Sequence, residues 1–143
     1  MKACLRGHVQ VATTLLAHGA DVNAVNNKQY AGITALIMAA FNGDEQIAAL
    51  LLQSSADVDV ANEQGYTALI NASLQGNTQI VAALLKAGAD VTVATNEGST
   101  ALDYAANNGK EAIAKLLQNS GGGRGGGGGG GGDGGGDGDE YEC

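Results

Sequence analysis

The sequence has no proline, only two cysteines and few aromatic residues among its 143 residues. Aromatic residues make up 3% of the chain and hydrophobic residues 44%, so the interior must be built from alanine, leucine, isoleucine and valine. Such small and aliphatic side chains suit thin helix pairs that pack closely. Because Cys4 and Cys143 cannot form a disulfide framework, we expect a reducing, intracellular and cytoplasmic location.

Basic residues are also scarce, and their scarcity excludes two classes of partner. The net charge is −8. Residues 1–120 hold 6 basic and 10 acidic residues, and residues 121–143 hold 1 basic and 5 acidic ones, so each part carries −4. Without a basic stripe to neutralise phosphates, we expect the chain to bind neither nucleic acid nor membrane. No stretch approaches the roughly 18 uninterrupted apolar residues of a membrane span.

An internal repeat of 33 residues is the main feature that the sequence does have. One segment occurs three times, as Thr34-Ala35-Leu36-Ile37, Thr67-Ala68-Leu69-Ile70 and Thr100-Ala101-Leu102-Asp103. A fixed period of this length predicts stacked two-helix units rather than one globular core. Such a stack usually binds another macromolecule along an extended face and does no chemistry.

Each unit is predicted to contain two short helices, as residues 65–97 illustrate. Thr67 is a suitable N-cap for the first helix, which Gly76 ends. The second helix has an apolar face made of Ile80, Val81, Leu84 and Leu85. Gly88 stops this helix through a positive φ, and a hairpin tip follows at Asn96-Glu97-Gly98.

These residues resemble the ankyrin repeat, whose pattern is roughly G-x-T-P-L-H-x-A-A-x-x-G-H-x-x-I/V-V/A-x-L-L-L-x-x-G-A-D-V-N. The match includes Gly65, Thr67, Leu69 and Ala72, and then Gly88-Ala89-Asp90-Val91. It covers residues 1–120. The resemblance implies an all-α fold, an ankyrin-type α-solenoid of stacked helix-turn-helix units with short β-hairpin loops.

The resemblance divides the chain into one partial unit, three recognisable units and a tail. The units span about residues 1–31, 32–64, 65–97 and 98–120, and the first unit lacks its opening turn. Residues 121–143 are rich in glycine and acidic residues. We expect this tail to be disordered, because glycine has no side chain to bury and the most chain entropy to lose.

The sequence departs from the family pattern at two positions in each of the three recognisable units. The family's helix-starting proline is replaced by Ala35, Ala68 and Ala101. Alanine has the best helix propensity and should serve in that place. The family's histidine is replaced by Ile37, Ile70 and Asp103. Since that histidine normally joins hydrogen bonds between units, its loss predicts a less rigid stack but not a different fold.

The resemblance also implies a partner-binding face, made of hairpin tips and the exposed side of each first helix. The predicted contact residues are Tyr30, Ile33, Phe41, Asn42, Glu63, Gln64, Tyr66, Leu74, Gln75, Asn96, Glu97, Asn107 and Asn108. They include three of the five aromatic residues of the chain, and aromatic side chains anchor interfaces well. The alternative is that these side chains only pack against neighbouring hairpins.

The sequence offers no set of residues for catalysis, for a cofactor or for a metal ion. It has no nucleophile motif, and no Gly-Lys-Ser/Thr follows the tail glycines. His8 and His18 lack the converging ligands that a metal site needs, and we interpret both as structural residues. Tyr104 points inward in the family pattern, and we interpret it as a core residue.

The sequence therefore favours a non-catalytic protein–protein interaction module with another protein as partner. The incomplete first unit leaves two alternatives open. The chain could be the C-terminal fragment of a larger enzyme, channel or regulator whose activity lies upstream of Met1. It could also be a fragment with no independent role, which poor solubility would favour. Without the front half of the first unit, the apolar side of residues 3–16 has nothing to pack on.

Overall fold

The computed structural model describes residues 9–26 and 32–121. This part of the chain contains seven helices and one pair of short strands. In chain order they are α1 (Val9–Ala17), β1 (Val25–Asn26), β2 (Ile33–Thr34), α2 (Ala35–Asn42), α3 (Glu45–Gln53), α4 (Ala68–Gln75), α5 (Thr78–Lys86), α6 (Ala101–Asn107) and α7 (Glu111–Gly121). The predicted tail beyond Gly121 and the predicted start of the first unit lie outside the described residues.

The helices form two layers of a stack. The inner layer consists of α2, α4 and α6, each of which packs against the next. The outer layer consists of α1, α3, α5 and α7, which also pack in chain order. Each inner helix packs against the outer helix that follows it. This arrangement confirms the predicted helical solenoid.

Threonine side chains start all three inner helices. Thr34 Oγ1 accepts the N–H of Ile37 at 3.2 Å, and Thr67 Oγ1 accepts that of Ile70 at 3.2 Å. Thr100 does the same for α6, where the Asp103 carboxylate also accepts the Thr100 N–H at 2.8 Å. Each bond satisfies a donor that the first helical turn leaves free. The prediction that Thr67 is an N-cap is thus confirmed.

The core is one continuous cluster between the two layers. Its largest fully buried side chains are aliphatic, among them Leu36, Ile47, Leu69, Ile80 and Leu84. This agrees with the aliphatic interior that the composition predicts. Tyr104, which we interpreted as a core residue, packs against this cluster and is half-buried. Its hydroxyl lies beside that of Tyr66.

Several hydrogen bonds join neighbouring units where the family's histidine is missing. Asn77 Nδ2 donates to the Ala40 carbonyl at 2.7 Å. In the loops after the outer helices, the Asp90 N–H donates to Asp59 Oδ1 at 2.8 Å. At the hairpins, the Asn96 N–H donates to a carbonyl of the preceding hairpin. Neighbouring units are therefore joined by hydrogen bonds at both ends, and the lower rigidity expected from the missing histidine stays a prediction.

The hairpins are turns with very little strand. β1 and β2 pair antiparallel over two residues each, with Val25 opposite Thr34. The last hairpin contains a single bridge, between Ala94 and Thr100, around its predicted tip. None of the helices among residues 9–26 and 32–121 is both long enough and apolar enough to cross a membrane.

The first described helix exposes apolar side chains that its counterparts bury. Val11 and Leu15 are 49% and 46% exposed. The equivalent residues of α5, Ile80 and Leu84, are buried in the core cluster. Each of the other outer helices packs against the inner helix of its own unit. For α1, the corresponding segment of the chain lies outside the described residues.

Ser55 occupies a backbone conformation that favours glycine, with a φ of 68°. The equivalent residues of the neighbouring units, Gly19 and Gly88, have φ of 87° and 92°. We expect Ser55→Gly to raise the free energy of unfolding by about 1 kcal/mol, because an L side chain is strained there. Gly88→Ala is the matched control, and it should lower the free energy of unfolding by a similar amount through the same backbone strain. An added Cβ there meets no atom within 4 Å, so no clash adds to that strain. Chemical denaturation measures both, and an unchanged or less stable Ser55→Gly variant would contradict the strain.

Candidate protein-binding groove

A groove of about 460 Å³ lies between α2 and α4, on the inner face of the stack beside the hairpins. Its ten lining residues are Ile33, Ile37, Met38, Phe41, Asn42, Asn62, Gln64, Tyr66, Asn71 and Leu74. Six of them are apolar or aromatic, and the other four carry carboxamides. None is charged. The groove therefore offers apolar walls with neutral hydrogen-bonding groups between them.

Helical spacing places the walls of the groove. Met38 and Phe41 lie one turn apart on α2, and Asn71 and Leu74 occupy the equivalent positions on α4. Since α2 packs alongside α4, both pairs face the same space. Phe41 is 50% exposed, which leaves half of an aromatic side chain without a cover.

Asn62 shapes the hairpin that brings Tyr66 to the groove. Its Oδ1 accepts the N–H groups of Gln64 at 3.0 Å and Tyr66 at 2.9 Å, while its own N–H donates to the Tyr66 carbonyl at 3.0 Å. Gly65 completes the turn with a φ of 88°. The position of Tyr66 is thus set by backbone bonds around one carboxamide.

The Tyr66 hydroxyl also forms a hydrogen bond with the Tyr104 hydroxyl of the next unit. The two hydroxyl oxygens lie 3.0 Å apart, and the ring centroids are 5.7 Å apart with planes tilted by 41°. The hydrogen bond to Tyr104 and burial raise the pKa of Tyr66, and electrostatic repulsion of its phenolate by Tyr104 and Glu97 adds to them. Together they raise the pKa of Tyr66 to about 12. Tyr66 is therefore a neutral phenol at physiological pH.

Asn71 carries a free hydrogen-bond acceptor in the groove. The residue is 8% exposed, and its Nδ2 donates to the Thr67 carbonyl at 3.0 Å. That bond fixes which end of the carboxamide is the oxygen. No residue in the described part of the chain donates a hydrogen bond to this Oδ1. The oxygen is not fully enclosed, because Ser73 Oγ is the one buried side-chain polar atom without a partner in the described part of the chain. Asn71 Oδ1 is therefore open to water in the groove, and a partner that covers it must supply a donor in place of that water.

The structure brings six predicted contact residues together in this groove: Ile33, Phe41, Asn42, Gln64, Tyr66 and Leu74. It places three others, Glu63, Asn96 and Glu97, exposed on two adjacent hairpin tips. Asn96 Nδ2 donates there to the Glu63 carbonyl at 2.8 Å. The remaining residues Gln75, Asn107 and Asn108 are exposed near the ends of α4 and α6, outside the groove. Tyr30 lies outside the described residues.

Four lining residues were not predicted from the sequence: Ile37, Met38, Asn62 and Asn71. A usable signal exists for two of them. Met38 and Asn71 precede the predicted residues Phe41 and Leu74 by one helical turn, so they share their face of the helix. No comparable signal exists for Asn62, because its part in the groove depends on how the hairpin folds.

A second hollow, of about 760 Å³, lies in the outer layer between α1 and α3. Its walls carry three glutamines, Gln10, Gln46 and Gln53, and no aromatic side chain. It also contains none of the predicted contact residues. Among residues 9–26 and 32–121, no group of three or more His, Cys, Asp or Glu residues could hold a metal ion.

Comparison with protein families agrees with the stack of helix pairs. The family model for ankyrin repeats, in three copies, matches residues 1–95 and 54–123. The chain belongs to the ankyrin repeat family. No curated protein gives a significant match to it. Ankyrin repeats are generally protein–protein interaction modules and are typically non-catalytic.

Gly65 allows two hairpins of this ankyrin repeat protein to touch. A Cβ at Gly65 would lie 2.8 Å from Thr95 Cα, whereas one at Gly98 would meet nothing within 4 Å. Both glycines have a φ of 88°. We expect Gly98→Ala to lower the free energy of unfolding by about 1 kcal/mol and Gly65→Ala by roughly 2–4 kcal/mol. Equal losses of stability in chemical denaturation would show that the hairpins accommodate the added methyl group at Gly65 without further cost.

The bond between the two tyrosines makes a prediction about titration. In Tyr104→Phe the pKa of Tyr66 should fall from about 12 towards its ordinary value of 10.0, because the phenol loses its hydrogen-bond partner. A raised pKa favours the neutral phenol in the folded state. Its stabilisation is therefore complete below pH 10 and is lost as pH rises towards 12. NMR of ring-labelled tyrosine measures the titration, and an unchanged Tyr66 pKa in the variant would contradict this cause.

Proposed function

We propose that this domain is a non-catalytic module that binds a partner protein through the groove and the adjacent hairpin tips. The observation that carries the proposal is Phe41, which is half exposed at the wall of a groove without charged residues. Exposed aromatic side chains beside a concave apolar surface are typical of binding sites. Covering Phe41, Leu74 and Tyr66 would remove apolar surface from water, which favours association.

The charge distribution supports a protein rather than a nucleic acid or a membrane as partner. The helices α2 and α4 contain no charged residue. The basic side chains of the described part are Lys86, Lys110 and Lys115, and all three lie on or beside the outer helices α5 and α7. None of these lysines lines the groove, so a phosphate group there would meet no positive charge from them. The scarcity of cysteine supports a cytoplasmic setting for the encounter.

A pull-down from cell extract with the full chain, read by mass spectrometry, tests this function. The groove variant combines Phe41→Ala with Tyr66→Ala, and its folding is checked by circular dichroism and thermal unfolding. We expect a partner captured by the parent chain to bind the groove variant at least about tenfold more weakly, because aromatic anchors dominate interface energies. Removal of residues 121–143 should leave the affinity unchanged.

Leu15→Ala is the matched control for this experiment. Leu15 is 46% exposed, close to the 50% of Phe41, but it lies on α1 in the outer layer. A partner that is lost with the groove variant and kept with Leu15→Ala supports binding through the groove. A partner that binds the folded groove variant as tightly as the parent would show that the contact residues are wrongly assigned.

A further inference from the structure

The chemistry of the partner's anchoring side chain can be inferred from the acceptor that Asn71 leaves open in the groove. The inner helices carry three equivalent residues at this position, Met38, Asn71 and Tyr104. The polar group of Tyr104 meets the Tyr66 hydroxyl at 3.0 Å. At the groove, the residue equivalent to Tyr66 is Ile33, which has no side-chain polar group. Asn71 Oδ1 therefore has no donor from the preceding hairpin, whereas Tyr104 has the Tyr66 hydroxyl.

The walls beside Asn71 narrow the choice of occupant. Phe41 and Leu74 offer contacts to an apolar side chain, while Asn71 Oδ1 needs a donor once that side chain covers it. A leucine or phenylalanine would cover the acceptor without bonding it, which costs the desolvation of a carbonyl. A lysine would bring a charge into a groove whose lining has no carboxylate to pair with it. Tryptophan and tyrosine satisfy both requirements.

We propose that the partner inserts an aromatic side chain with its own hydrogen-bond donor, a tryptophan or a tyrosine, into the groove. Its ring lies against Phe41 and Leu74, and its N–H or O–H donates to Asn71 Oδ1. This inference rests on the proposed function, since it names the part of the partner that enters the same groove.

The occupant comes from another protein rather than from the chain's own tail. The tail contains Tyr141, but its 5 acidic residues surround that tyrosine or lie close to it in sequence. Glu63 and Glu97 are exposed on the hairpin tips beside the groove, and Glu97 is near enough to act on Tyr66. Neither pairs with a basic side chain among residues 9–26 and 32–121. Their charge disfavours an acidic segment and favours one with neutral or basic flanks.

A random peptide library displayed on phage, selected on the full chain, tests the inference. We expect the selected peptides to share a tryptophan or tyrosine at one position and to lose binding to Phe41→Ala. A synthetic copy of the best peptide is then compared with a copy that lacks only the donor, through Tyr→Phe or Trp→naphthylalanine. The copy without the donor should bind the parent chain about tenfold more weakly.

Asn71→Met supplies the matched variant, because methionine is the residue at the equivalent position 38. Its folding is checked by thermal unfolding. On this variant the two peptides should bind equally, since the acceptor is absent while the apolar walls remain. The coupling between the donor of the peptide and Asn71 is thereby separated from the general effect of either change.

The outcomes distinguish this inference from the proposed function. Selected peptides that need Phe41 but anchor through leucine or phenylalanine, or whose donor preference survives in Asn71→Met, overturn the inference and leave the groove as a binding site. Selected peptides that all ignore Phe41, or no selected peptide at all, count against the groove itself. A synthetic peptide of residues 133–143 that binds as tightly as the best selected peptide overturns the choice of occupant.

Discussion

The close packing of the inner helices is the constraint on which the rest of the structure depends. Three equivalent alanines, Ala39, Ala72 and Ala105, have 0% exposure and let α2, α4 and α6 approach one another. Inner helices of seven or eight residues are too short to be stable alone, so most of their stability comes from this contact. A larger side chain in this row would separate two helices and widen the space between their units.

The residues beside this row of alanines differ from unit to unit. The step from α2 to α4 presents a groove, and Ile33, Phe41, Asn71 and Leu74 all line it. At the next step, Tyr104 takes the position of Asn71 and its hydroxyl meets Tyr66. The stack thus keeps one architecture, while its inner face changes from an apolar groove to the hydrogen-bonded pair of Tyr66 and Tyr104.

The parts predicted well from the sequence have local physical causes. Thr67 caps a helix because its hydroxyl reaches an N–H three residues ahead, and Gly88 ends one because glycine tolerates a φ of 92°. Phe41, Tyr66 and Leu74, which are predicted contact residues, line one groove because the repeat sets the register between units. Asn62 was missed because its bonds to Gln64 and Tyr66 belong to a loop whose path the pattern does not specify.

The sequence by itself determined the family, the two-layer stack and the aliphatic core, because a period of 33 residues and the spacing of apolar side chains are written in the chain. Only the tertiary structure decided that Tyr104 forms a hydrogen bond with Tyr66 at the edge of the core, and that Asn71 keeps a free acceptor in the groove. Both outcomes depend on residues more than 30 positions away in the chain, and hydrogen bonding between such residues depends on distances that only the folded stack defines.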